Sequence, residues 1–191
     1  MKLPEKILVG LFLIGIILRF FNIPGGTTSF MFTLLGLSLY YLFGGFWAFS
    51  YSDKKNGIKE NKLWFSIPLG LVAGYAILGI IFKWMIWPGA TITLMNASFF
   101  LTGSFMASII LLYTLGRKLN LRNYFRSTTI RISVLLGLTV GSFFLKGIQI
   151  FSFFHSGDPE LVRKFENMQN NPENNAMANE YWDYVDKKNS K

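Results

Sequence analysis

The sequence predicts an all-α integral membrane protein, with about five transmembrane helices built from repeated hairpins and a short helical C-terminal tail. Three observations carry that prediction. First, 51% of the 191 residues are hydrophobic and mean hydropathy is positive, outside the usual range of a soluble domain of this size. Second, the apolar residues come in long runs, near 7–23, 28–50, 63–87, 91–115 and 130–154. Roughly 20 mostly apolar residues span a bilayer core as a helix. Third, the segment from Gly15 through Arg19 to Pro24-Gly25-Gly26-Thr27 recurs at an offset of 64, as Gly79 through Lys83 to Pro88-Gly89-Ala90-Thr91. A recurrence of that kind defines the structural unit: apolar run, Pro-Gly turn, apolar run, basic loop.

The unit divides the chain. Residues 1–62 form a first transmembrane hairpin and basic loop, and 63–129 a second. Residues 130–155 make a fifth span that reads as a degenerate third repeat, and 156–191 an amphipathic tail. The start of the chain reads as a retained span rather than a cleaved leader, because no small-x-small site follows it and its pattern recurs internally.

The first span is expected to end before Pro24, since a residue preceding proline disfavours helical backbone. Gly25 then supplies the turn, and Thr27 or Thr28 is positioned to cap the second helix. That helix finishes in an aromatic group of Tyr40, Tyr41, Phe43, Phe46, Trp47, Phe49 and Tyr51, as expected of a membrane interface. A polar loop with Lys54, Lys55, Lys59 and Lys62 follows. The third span offers Gly70 and Gly74 as close-approach positions. Pro88-Gly89 reverses the chain, with Thr91 or Thr93 as the expected cap. The fourth span carries Asn96, Ser98, Thr102, Ser104 and Ser108, polar groups able to bond between helices. Gly137 and Gly141 in the fifth span repeat the small-residue spacing.

In the tail, Asp158-Pro159-Glu160 is a helix start, with Asp as the cap and Pro at the first helical position. Asn171-Pro172-Glu173 repeats the signal. Leu161, Phe165 and Met168 share one face, and Met177, Tyr181, Tyr184 and Val185 make a second stripe. Phe165, Met168, Tyr181 and Trp182 are the expected docking residues.

Charge gives the orientation. Lys2, Lys6, Lys54, Lys55, Lys59, Lys62, Arg117, Lys118, Arg122, Arg126 and Arg131 fall at the N-terminus or in the second and fourth connections, and the Pro-Gly turns have no cation. The positive-inside rule then places the N-terminus in the cytoplasm of an inner-membrane protein and the tail in the periplasm. The tail holds seven acids against five cations, in keeping with that side. The same topological role accounts for the net charge of +9 without nucleic acid.

Arg19, Lys83 and Lys146 break the charge rule, lying near the outer ends of the odd-numbered spans. Arg19 and Lys83 each sit five residues before their proline, roughly 7.5 Å below it at helical rise. One reading is snorkelling to lipid phosphate. The other is a functional cation facing the bundle interior, with tail acids such as Asp158 and Glu160 as partners. No acid falls inside the five runs.

The pattern Gly79-Ile80-Ile81-Phe82-Lys83 followed by Trp87-Pro88-Gly89-Ala90 resembles the transmembrane hairpin of the GldL family, the membrane subunit of the gliding-motility and type IX secretion motor of Bacteroidota. The resemblance covers one hairpin, seen twice. It implies a Bacteroidota inner-membrane protein and a lysine, matched by Lys83 and more loosely by Arg19, that in the family works with an acid of the following helix. Around Tyr41 and Phe105 this chain has no such acid, so the hairpin fold is what carries over.

The chain has no cysteine and one histidine. His155-Ser156-Gly157-Asp158 is contiguous, whereas catalytic triads converge from separate places. No metal-ligand spacing or phosphate-binding glycine loop is present, and neither catalytic residues nor cofactors are expected. The expected function is a non-enzymatic subunit or scaffold of a cell-envelope complex, whose partners are the lipid bilayer and other membrane subunits or further copies of itself. The alternative is an ion-conducting motor, channel or small transporter component using Arg19, Lys83 and Lys146.

Overall fold

The structure, a computed structural model, describes residues 3–21, 23, 25–49, 51–53, 58–61, 65–114 and 121–190. Eight helices lie among them: α1 (Leu3–Phe20), α2 (Gly26–Ala48), α3 (Ser66–Trp84), α4 (Ala90–Tyr113), α5 (Arg122–Phe144), α6 (Gly147–Phe154), α7 (Pro159–Asn170) and α8 (Asn175–Asn189). The loop after α2 adds a small antiparallel hairpin of β1 (Tyr51–Asp53) and β2 (Ile58–Asn61), which pairs Tyr51 with Asn61. The fold is otherwise all-α. In four helices, α2 to α5, the apolar stretch is long enough to cross a membrane, and the protein is membrane-embedded. α1 is 18 residues long and carries Glu5, Lys6 and Arg19 along its length.

α3 lies at the centre, packed on α2, α4 and α5, while α1 lies along α2 and α4 along α5. The reason is its surface of small residues: Gly70, Ala73, Gly74, Ala76 and Gly79 are all buried. Without a hydrophobic drive between helices in lipid, close van der Waals approach is what holds them. A methyl group on Gly70 would run into the Gly45 backbone of α2, and one on Gly74 into Leu42. Ser38 also donates across this contact to the Gly74 carbonyl, at 3.0 Å. Gly137 and Gly141 differ: both are exposed, and a methyl on either meets nothing within 4 Å. Their spacing matched a packing motif, but α5 turns other residues, such as Ile132 and Leu135, to the core.

The two helical hairpins close in the same way. Gly25 and Gly89 take φ of 86° and 82°, a left-handed conformation that glycine adopts without strain. Ile23 N–H donates to Leu18 O and Trp87 N–H to Phe82 O, both at 2.9 Å. Gly26 N–H reaches Ile23 O at 3.2 Å, and Ala90 N–H reaches Trp87 O at 3.4 Å. Pro24, expected in the first turn, lies outside the described residues, while Pro88 is in the second. The threonines do not cap. α2 starts at Gly26 and α4 at Ala90 with Gly89 before it, and Thr93 lies inside its helix, donating back to Gly89 O at 3.0 Å.

Two boundaries differ from the sequence reading. The fifth span is not continuous: Leu145 and Lys146 are extended, and a new short helix starts at Gly147. Glycine resists helical continuation, and the Gln149 side chain accepts from Lys146 N–H at 2.9 Å, fixing the break. In the tail, Asp158 caps α7 by accepting from Leu161 N–H at 3.0 Å, as its sequence predicts. The second tail helix starts at Asn175, later than the Asn171 signal, because Asn174 supplies the cap by accepting from Ala176 N–H.

Candidate functional site

The least expected feature is a buried carboxylate. Glu5 was outside the apolar runs by sequence, yet α1 begins at Leu3 and leaves Glu5 only 1% exposed. Proline in the first turn is compatible with this start, and Pro4 stands there. Tyr41 of α2 donates to Glu5 Oε1 at 2.6 Å. Arg131 of α5 faces Glu5 Oε2 at 3.2 Å. Arg131 also donates to the Ala48 carbonyl at 3.1 Å, and its guanidinium stacks over Phe49, 5.6 Å from the ring centroid. Phe49 O in turn accepts from Tyr124 of α5 at 2.6 Å and from Ser66 of α3 at 2.9 Å.

The chemistry of this cluster is that of a helix terminus in a dry place. The last carbonyls of α2 have no intrahelical donor, and a cation at a helix C-terminus is favoured by the dipole. Arg131 fills that role, and Glu5 balances its charge. The aromatic group at the end of α2 is therefore divided: Tyr41 and Phe49 are buried in the cluster, while Phe43 points outward, 85% exposed. Arg131, counted by sequence among the loop cations, belongs to a helix and an ion pair. Arg122 and Arg126 also lie on α5 rather than in a loop. Lys2, Lys54, Lys55, Lys62, Arg117 and Lys118 fall outside the described residues.

The opposite end of the bundle holds the three cations that sequence singled out, and the structure gives each a different setting. Arg19 donates from Nη2 to the Phe153 carbonyl of α6 at 2.8 Å, and its guanidinium lies 6.0 and 5.6 Å from the ring centroids of Phe153 and Phe154. Nearby, Trp84 donates to Ser142 at 3.2 Å and packs on Phe30 and Phe154. Lys83 lies in a cavity wall at the α3–α4 turn. Lys146 is exposed in the break between α5 and α6. The tail acids expected to meet them are engaged elsewhere: Asp158 with Lys188, and Glu160 with Lys164 at 3.8 Å.

The tail folds back on α6. Phe165 stacks on Phe151 with ring centroids 3.8 Å apart, and Leu161 and Tyr181 complete that small core, with Met168 beside it. Trp182, expected with them, is 56% exposed, because the face of α8 turned inward is that of Tyr181, Tyr184 and Val185. Salt bridges join the two tail helices, Lys164 to Glu180 and Lys188 to Asp158. The Lys188 ammonium and the Leu161 N–H hold the Asp158 carboxyl below the usual aspartate range, and the Asp158 carboxylate raises Lys188. Among the polar residues of α4, Ser108 accepts from Thr129 of α5 at 3.0 Å. Thr102 instead donates to Ser98 O in its own helix.

No known family model, curated protein or solved structure matches this chain, so the reading of these sites rests on their own geometry.

Proposed function

We propose that the protein is a non-enzymatic subunit or scaffold of a cell-envelope membrane complex, a platform on which other membrane subunits or further copies assemble. The observation that supports this reading is the Glu5–Tyr41–Arg131 cluster. Both carboxylate oxygens are engaged and the α2 terminus is capped, so that α1, α2, α3 and α5 are fastened to one another. A buried charge pair of this kind defines one helix arrangement. The repeated GldL-like hairpin and the Bacteroidota inner membrane belong to the same proposal. So does the orientation, with the N-terminus cytoplasmic and the tail periplasmic.

Native mass spectrometry after mild-detergent purification through an N-terminal tag tests the role. A stoichiometric partner set supports it, and a chain recovered alone overturns it. Because the chain has no native cysteine, single cysteines placed at Lys6 and Trp182 report orientation through an impermeant maleimide. Labelling of Trp182→Cys alone in intact cells (outer membrane permeabilised) is the expected result.

A second reading is an ion-conducting component. Glu5 supplies a buried acid of the kind that the apolar runs lack. It lies fourteen residues from Arg19 along α1, roughly 21 Å at helical rise, too far to work as a couple with the turn-end cations. Ion flux through the purified chain in liposomes, abolished in Glu5→Gln, is the result that favours this reading over the scaffold.

A further inference from the structure

The α3–α4 turn borders a cavity of about 350 Å³, at the other end of the bundle from the Glu5 cluster. Three parts of the chain build it: Lys83 near the end of α3, residues 86–92 of the turn and the start of α4, and Gly147 and Gln169 from α6 and α7. Among the described residues of its lining, Lys83 is the only charged one and none is an acid. Among the described residues the Lys83 ammonium makes no ion pair. An ammonium near a membrane segment gains strongly from a counter-charge.

The remaining polar groups suit the same ligand. The Gln169 amide is held close to Gly147, since a methyl there would come within 2.9 Å of Gln169 Nε2. The main chain of Thr91 and Ile92 belongs to the first turn of α4, whose amides have no acceptor within the helix. An ammonium, an amide and main-chain N–H groups with no acid among them select a compact oxyanion over a cation or a neutral ligand. The position narrows it further. Trp87 is 48% exposed on the turn, and exposed tryptophan at the end of a span sits at headgroup level.

We propose that this cavity binds a phosphate group, with Lys83 as its counter-charge and the tail residue Gln169 as a hydrogen-bond donor. A membrane lipid headgroup and a free phosphate present the same chemistry. Either one, once bound, fastens α7 to the α3–α4 turn.

The test uses the full chain in neutral detergent, titrated separately with inorganic phosphate and with a short-chain phosphatidylglycerol, and read by native mass spectrometry. Saturable binding of at least one probe is expected, weakened about tenfold or more in Lys83→Gln, the scale of a hydrogen bond to a charged group. Lys83→Arg retains it, and Lys146→Gln leaves it unchanged. Gly147→Ala keeps the charge but displaces the Gln169 amide, and it also weakens binding. Binding of the lipid alone assigns a headgroup site, and binding of inorganic phosphate assigns a free-anion site. Equal binding by the native chain and Lys83→Gln, or saturable binding of neither probe, overturns the proposal. Should Lys83→Gln fail to elute as a single species, loss in Gly147→Ala alongside retention in Lys83→Arg supports the site, and any other pattern in that pair overturns it.

Discussion

The α1–α2 and α3–α4 hairpins share their turn hydrogen bonds but treat their cations in opposite ways. Arg19 is fastened to another helix, with its guanidinium on the Phe153 carbonyl and against two phenylalanine rings. Lys83, at the matching position, lines an open cavity. The first hairpin is also held at its far end, where Glu5 meets Arg131. The second is held by its small residues against its neighbours. The lesson is that one backbone device serves two purposes, since five planar donors suit a carbonyl and ring faces, whereas an ammonium is a point charge on a flexible stem.

That contrast can be broken most forcefully at Glu5. Glu5→Ala leaves Arg131 without its buried counter-charge, and a loss of roughly 3–5 kcal/mol in detergent unfolding experiments is expected. Replacing both residues together, Glu5→Gln with Arg131→Met, recovers part of it. A single mutant as stable as the native chain would show that the cluster fastens nothing.

The next effect concerns the two cations themselves. Arg19→Ala removes a charged hydrogen bond and two ring contacts and is expected to cost about 1.5–3 kcal/mol. Lys83→Ala is expected to change stability by no more than about 0.5 kcal/mol. Equal losses in the same unfolding assay would erase the distinction between the hairpins.

A smaller gain is expected in the second turn. Ile86 has φ of 57°, a left-handed backbone that costs a side chain roughly 1–2 kcal/mol and a β-branched one most of all. The aligned residue of the first hairpin is Asn22, a type that tolerates this region. Ile86→Asn should therefore raise unfolding stability by about 1 kcal/mol, and no gain would mean that the strain is relieved elsewhere.

The smallest effect lies in the tail, which neither hairpin controls. Because Asp158 titrates below its unfolded value, its bond to Lys188 stabilises the tail above the ordinary aspartate range, roughly pH 4. That contribution is lost as pH falls through the depressed value. Lys188 is raised, so its contribution is complete below its unfolded value and disappears only as pH climbs through the raised one. Hydrogen exchange of α7 and α8 should accelerate in acid, and Asp158→Asn should weaken the pH dependence, leaving the part carried by Glu180, which Lys164 also holds below the usual glutamate range.

Much of this architecture was legible in the sequence because its causes are local. The Pro-Gly turns, the apolar lengths and the Asp158-Pro159 cap each act within a few residues. The Glu5 cluster was not legible. A lone acid between lysines ahead of an apolar run reads as a headgroup residue, and Arg131 reads as a topology charge until α1 and α5 are brought together. Gly70 and Gly137 show the same limit from the other side. Identical small-residue spacing marks a contact only where a neighbour such as Gly45 arrives, and nothing in the spacing says whether one does.

The Glu5–Arg131 pair also orders assembly in time. The acid lies on α1 and the arginine on α5, so that α2, α3 and α4 are synthesised between the two partners. A chain synthesised only through α4 has its carboxylate and not the guanidinium that closes on it. α1 can lie along α2 before then, but its carboxylate is closed only when α5 arrives, and a chain cut before Arg131 should leave that helix more open to proteolysis by membrane quality control.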